Sequence, residues 1–204
     1  MFGCAHLTDS LAQYLSLEST WQRLEAQLGR PAALVVELGA GTGLAGLAVA
    51  VSVSQRRATP TAVILTDLAA VVPLLQRNVV ANPLAVDVTV APLVWGDSAS
   101  ACAALGPGRQ ADLVVGADLV YRQPNVAPLL AALSQVLRVG GIAVLALDTS
   151  HCPAAVDDYL ARARQPDAEL DAPARYEVRH VDAQELPAGF ACDDISVVEL
   201  QRLQ

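Results

Sequence analysis

The sequence predicts an α/β fold on a doubly wound, mostly parallel seven-stranded sheet, and three observations carry that prediction. Leu34–Leu38 is a short apolar run that leads into Gly39-Ala-Gly-Thr-Gly43 and then into a helix-compatible stretch, the order of a strand, a tight turn and a helix. Further apolar runs of strand length follow, most of them separated by segments with helical spacing. No apolar run approaches the ~20 residues of a membrane-spanning helix. At 204 residues the chain is long enough for a large core and short for two, so residues 1–204 read as one domain with a helical N-terminal segment over 1–29.

The elements follow in order. Thr8 or Asp9 can cap a helix reaching Leu28, since Leu11, Leu15, Trp21, Leu24 and Leu28 recur near helical spacing. Leu34–Leu38 is apolar apart from Glu37, as a strand covered on both faces is. Gly39, Gly41 and Gly43 let the backbone turn sharply and approach a ligand, because no Cβ stands in the way. The free N–H groups of the next helix face the same spot. Thr61–Thr66 is a second strand rich in β-branched residues, and a helix over Leu68–Ala81 follows it. Val88–Trp95 is a third strand, and Ala111–Ala117 a fourth. A helix over Val126–Leu137 starts after Pro124, and Gly140–Leu147 is a fifth strand. Pro153–Ala163 is a short helix and Gln165–Arg175, with two prolines and several acids, a loose loop. Tyr176–Val181 and Ile195–Leu200 close the sheet.

The glycine turn implies a nucleotide-like ligand. Gly41-Thr-Gly-Leu-Ala-Gly46 fits the dinucleotide pattern G-x-G-x-x-G, but the turn begins at Gly39, so those glycines start late. Glu37 also speaks against a pyrophosphate, and an acid there can hold a cationic amino group instead. Asp67 ends the second strand about 20 residues on, where a carboxylate can accept both hydroxyls of a ribose. It can equally cap the following helix, and the two uses are compatible. Trp95 offers a flat face to an adenine and Asp97 an acceptor for its amino group; the alternative for Trp95 is a core aromatic. Asp118 and Tyr121 lie beyond the carboxyl end of the fourth strand, beside the glycine turn. Asp-x-x-Tyr aims a carboxylate and a phenol at one point if the chain turns at Gln123-Pro124. The alternative is a capping Asp and a packed Tyr.

Together these segments resemble a known family. Glu37-Leu-Gly-Ala-Gly-Thr-Gly43, Asp67, Asn78, Leu93-Val-Trp-Gly96 and Gly116-Ala-Asp-Leu-Val-Tyr121 stand in the order and spacing of methyltransferase family 16. These are S-adenosylmethionine-dependent enzymes with an Asp-x-x-Tyr motif, many of them protein-lysine N-methyltransferases. The resemblance runs from Leu11 to the C-terminus, where Val178–Pro187 and Asp193–Leu200 look like the family's closing antiparallel strands. It implies a Rossmann-like sheet with an antiparallel last strand and S-adenosyl-L-methionine as cofactor. It implies cofactor contacts at Gly39, Ala40, Gly41, Asp67, Trp95 and Ala117, to which the motif reading adds Glu37 and Gly43. It also implies a substrate and catalytic role for Asp118 and Tyr121. The expected activity is methylation of a lysine side chain on a protein. Alternatives are a small-molecule N- or O-methyltransferase on the same fold and a cofactor-binding but inactive interaction protein. For an NAD enzyme only the glycines and Asp67 speak.

The resemblance departs at the N-terminus. Leu11-Ala-Gln-Tyr-Leu15 matches the family's helix, but the preceding residues place Ala5 where a site-closing Trp is expected. The strands that ordinarily precede that helix are absent, so the expectation is a shortened N-terminus and a less completely closed site.

Net charge −8 and a pI near 4.7 argue against tight binding to nucleic acid, whose phosphates need a basic surface. An acidic surface suits a basic, lysine-bearing protein partner, and serves solubility equally well. No charged start followed by an apolar block marks a signal peptide. Cys4, Cys102, Cys152 and Cys192 are scattered and His6, His151 and His180 isolated, so no metal site is expected. Reduced thiols place the expected monomer in the cytosol or nucleus, away from membranes.

Overall fold

The computed structural model describes residues 3–56, 62–165, 174–190 and 192–204, with side chains from Leu7 onward. Thr61, the expected start of the second strand, lies outside the described residues. So do residues 166–173 of the expected loop and the side chain of Ala5. The strands are β1 Leu34–Glu37, β2 Ala62–Asp67, β3 Asp87–Pro92, β4 Ala111–Ala117, β5 Leu137–Asp148, β6 Tyr176–His180 and β7 Ile195–Arg202. The helices are α1 Gly3–Tyr14, α2 Glu18–Leu28, α3 Leu44–Arg56, α4 Val72–Ala81, α5 Ser98–Leu105, α6 Val126–Val136 and α7 Pro153–Ala163.

The sheet has seven strands in the order β3-β2-β1-β4-β5-β7-β6. β1 to β5 are parallel, and β7 runs antiparallel to both of its neighbours, β5 and β6. Strand residues alternate between two cores because successive side chains leave a strand on opposite faces. Val35, Val63, Leu113 and Val144 join Leu11, Trp21, Val49 and Leu75 of α1 to α4 on one face. Val36, Ile64, Val114 and Leu145 join Ala101, Leu129 and Leu160 of α5, α6 and α7 on the other. Each fully buried Leu or Val contributes about 1.5–3 kcal/mol. The chain moves outward from β1 to β3 and then returns to β4 on the other side of β1, so the strand order reverses between β1 and β4. A crevice opens at their carboxyl ends, where ligands bind in such sheets.

Several local expectations are corrected. The single N-terminal helix is two helices. Leu17 is extended at φ −76 and ψ 132, and the Trp21 indole N–H donates to the Leu15 carbonyl at 2.7 Å, satisfying the end of α1. Leu11 with Leu15, and Trp21 with Leu24 and Leu28, each keep helical spacing, which is why the segment reads as one helix, but the step from Leu15 to Trp21 is out of helical phase. The helix expected from Leu68 begins at Val72, after a turn in which the Leu68 N–H donates to Asp67 Oδ1 at 2.6 Å. β3 stops at Pro92 rather than Trp95, and α5 was not expected. Asp97 caps α5 by accepting the Ala99 N–H at 3.0 Å, so its carboxylate is engaged there and does not line the crevice. Leu137 opens β5 rather than closing α6.

Tyr14, Arg23 and Arg179 converge on Glu199, which is 3% exposed, and tie the first two helices to the antiparallel edge. The Tyr14 hydroxyl donates to Oε1 at 2.8 Å, and Arg23 Nη1 and Arg179 Nε donate to Oε2 at 2.5 and 2.9 Å. Burial works to raise the Glu199 carboxyl, but the hydrogen bonds from Arg179, Arg23 and Tyr14 outweigh it and hold it below the usual carboxylate range. Among the described residues, no helix is long and apolar enough to cross a membrane.

Candidate active site

A cleft of about 550 Å³ opens where the strand order reverses. Gly39, in the turn after β1, lines it. Its φ is +60, and a Cβ there would lie 2.8 Å from Leu119 and 3.3 Å from the Trp95 indole, so only glycine fits without displacing them. The turn is braced from behind. The Ala40 N–H donates to the Thr66 carbonyl at 2.9 Å and the Gly43 N–H to the Ala40 carbonyl at 2.7 Å. Asn78, on α4, donates to the Thr42 carbonyl at 2.8 Å. Gly46, the last glycine of the G-x-G-x-x-G match, serves packing. A Cβ there would stand 2.2 Å from Leu65 and 2.5 Å from the Glu37 carboxyl, so its absence lets α3 lie close on the sheet.

Of the expected residues, Gly39, Asp67, Trp95, Ala117, Asp118 and Tyr121 line the cleft. Glu37, Ala40, Gly41 and Gly43 are not on its wall. Gly41 donates its N–H to Asp67 Oδ2 at 2.7 Å. Glu37 is 2% exposed beneath the turn and accepts the Gly46 N–H at 3.0 Å. Burial pushes its carboxyl up to about 8, against the pull of the Gly46 N–H and with a smaller push from the Asp67 charge.

At the other end of the cleft, Asp118 has φ +57, the one non-glycine positive φ among the described residues. Asp is among the side chains that tolerate this conformation, and such strain concentrates at functional sites. The Asp118 N–H donates to the Ala146 carbonyl of β5 at 3.0 Å, which anchors the turn. Tyr121 is 42% exposed at the rim, with the Arg122 guanidinium carbon 5.4 Å from its ring centroid.

Sequence reasoning missed Leu68, Leu93, Val94 and Leu119, the apolar wall, and Arg122 and Asn125. Arg122 Nε donates to Asn125 Oδ1 at 3.1 Å, and Asn125 Nδ2 is buried with no partner among the described residues. The turn signal at Gln123-Pro124 is the only sequence hint that these two residues fold back. The cleft therefore combines a tight glycine turn, a carboxylate at one side, an aromatic face, and a carboxylate and phenol at the other end.

Over 100 residues the chain is 37% identical to the protein-lysine N-methyltransferase EFM6 of Saccharomyces cerevisiae, covering 47% of this chain and 40% of that protein. It is 34% identical over 117 residues to the protein N-lysine methyltransferase METTL21A of Mus musculus, covering 54% of this chain and 47% of the relative. The matches thus span less than half the length of these relatives. The solved structure of the mitomycin 7-O-methyltransferase MmcR superposes with a TM-score of 0.62 at 13% identity, over 96% of this chain and 53% of that one, a likeness of fold. A family model described as lysine methyltransferase matches residues 8–162, most of the chain and all of the cleft, and the chain belongs to that family.

Proposed function

We propose that this chain transfers a methyl group from S-adenosyl-L-methionine to the side-chain amine of a lysine in a protein. Family membership and the names of the relatives support the reaction class. The single observation that carries the reading is the meeting of Asp118 and Tyr121, on a strained turn, in one cleft with Gly39 and Asp67.

The residues present fit the cofactor. Gly39 leaves open a space that a Cβ would fill, close to the Trp95 indole. Asp67 bonds two backbone N–H groups, and its oxygens keep lone pairs for ribose hydroxyls. Trp95, Leu68 and Leu93 give an apolar surface for a base. When bound, the cofactor supplies an electrophilic methyl on a positively charged sulfur.

The chain's own residues then have two tasks. A lysine amine is ordinarily protonated, with a pKa of about 10.4, and has no lone pair to offer. The Asp118 carboxylate can hold the ammonium and take its proton, and the Tyr121 hydroxyl can orient the freed lone pair. The remaining gain comes from holding the amine in line with the methyl group. A monomer in the cytosol or nucleus is part of this reading, supported by helices on both sheet faces and by free Cys102, Cys152 and Cys192.

The test is transfer of labelled methyl from S-adenosylmethionine to proteins of a cell lysate. Labelled methyl-lysine with the wild type and none with Asp118→Ala is expected, while S-adenosylhomocysteine affinity stays unchanged. Label on another side chain, or an unimpaired Asp118→Ala variant, would overturn the reading.

A further inference from the structure

Arg122 directly follows the Asp-x-x-Tyr turn, lines the same cleft and is exposed. Its backbone is extended, at φ −162 and ψ 151, and leads into the 3-10 turn Gln123–Asn125. That turn fixes the residue twice. The Asn125 N–H donates to the Arg122 carbonyl at 3.1 Å, and Arg122 Nε donates to Asn125 Oδ1 at 3.1 Å. The guanidinium carbon stands 5.4 Å from the centroid of the Tyr121 ring. A guanidinium held from two sides has little rotamer freedom left to lose when it binds something else.

None of these contacts compensates its charge. Arg23, Arg30, Arg56, Arg138, Arg162 and Arg179 each pair with a carboxylate. Arg122 is held instead by a neutral amide and a neutral ring, and pairs with no carboxylate among the described residues. Asp158 of α7, which the same 3-10 turn touches, is taken by Gln123 Nε2 at 2.6 Å and by Arg162 at 3.9 Å. A guanidinium carries five N–H donors and Nε uses one, so the two terminal nitrogens keep theirs for an outside acceptor.

A cation fixed beside Tyr121 repels a second cation brought into the cleft, and a carboxylate that arrives with it relieves the repulsion. The two terminal nitrogens present a planar fork that a carboxylate accepts bidentately. Resting on the lysine reading above, we propose that Arg122 sets acceptor specificity by binding an Asp or Glu side chain that stands next to the target lysine on the protein substrate.

The acceptor is identified first, by mass spectrometry of methyl-lysine in a lysate labelled by the wild type, against an Asp118→Ala control. The chain has no lysine of its own, so the label cannot come from self-methylation at lysine. The mapped lysine is expected to have an Asp or Glu beside it on the acceptor surface. With the purified acceptor, Arg122→Ala should raise KM about tenfold with kcat little changed, as loss of a charge-assisted pair does. Arg122→Glu should lose more, and should regain activity on an acceptor whose acid is replaced by arginine. Replacing that acid by alanine should raise KM for the wild-type enzyme as well, which tests the pairing even if neither variant folds. A target lysine with no acid beside it overturns the proposal. So does a KM that stays put on loss of Arg122 or of the acid, or a lowered kcat at constant KM, the mark of a role confined to holding Tyr121. Wild-type protein that labels no lysine overturns the lysine reading itself and the proposal with it.

Discussion

The Gly41 N–H donates to the Asp67 carboxylate at 2.7 Å, which joins the glycine turn after β1 to the carboxyl end of β2. The residue best placed for a ribose thus also holds the shape of the turn. Asp67→Ala should lower both S-adenosylhomocysteine affinity, by about tenfold or more, and Tm, since the lost bond is to a charged acceptor worth about 1.5–3 kcal/mol. Asp67→Asn keeps one acceptor oxygen and should fall between the two. Titration and thermal unfolding of the three proteins check this; an unchanged Tm in Asp67→Ala would remove the bracing role.

The strained backbone at Asp118 separates conformation from chemistry. With φ at +57, Ala at this position carries a penalty of about 1–2 kcal/mol that Gly does not. Asp118→Gly should therefore unfold at higher urea concentration than Asp118→Ala, with both lacking methyl transfer. Equal midpoints would mean that the backbone relaxes when the side chain is lost.

Glu37 makes stability depend on pH. Its carboxyl titrates near 4.5 when unfolded and near 8 when folded. Between those values the folded state holds the extra proton, so stability falls as pH rises through this window. Glu37→Gln should flatten the Tm profile from about pH 5 to 8, and a slope equal to that of the wild type would count against this account.

Glu199 acts in the opposite direction. Its folded-state carboxyl is held low, so the stability it contributes is present above the ordinary carboxylate range and is lost as pH falls through its folded value. Glu199→Ala removes the buried acceptor of Tyr14, Arg23 and Arg179, while Arg179 keeps Glu185 at 2.7 Å, and should cost about 1–3 kcal/mol near neutrality. The difference from wild type should shrink in acid. Urea titrations at neutral pH and in acid measure it, and a pH-independent difference would point to packing alone.

The sequence by itself determined the α/β class, the seven strands, the glycine turn and the candidates lining the cleft. These rest on local chemistry: glycines where no Cβ fits, apolar runs of strand length, and acids placed just after strands. Gly39, Asp67, Trp95, Asp118 and Tyr121 can be named because each sits at a fixed offset from a strand end. Local pattern hides the break between α1 and α2, because Leu11 with Leu15 and Trp21 with Leu24 each keep helical spacing; the six-residue step from Leu15 to Trp21 is out of helical phase, and the extended Leu17 and the Trp21–Leu15 hydrogen bond mark the end of α1. Nor does it show that Glu37 lies beneath the turn or that Asn125 returns to the cleft. Those are decided by tertiary structure, because burial and hydrogen-bond partners depend on which elements meet in space, and the residues that meet here are far apart in the chain.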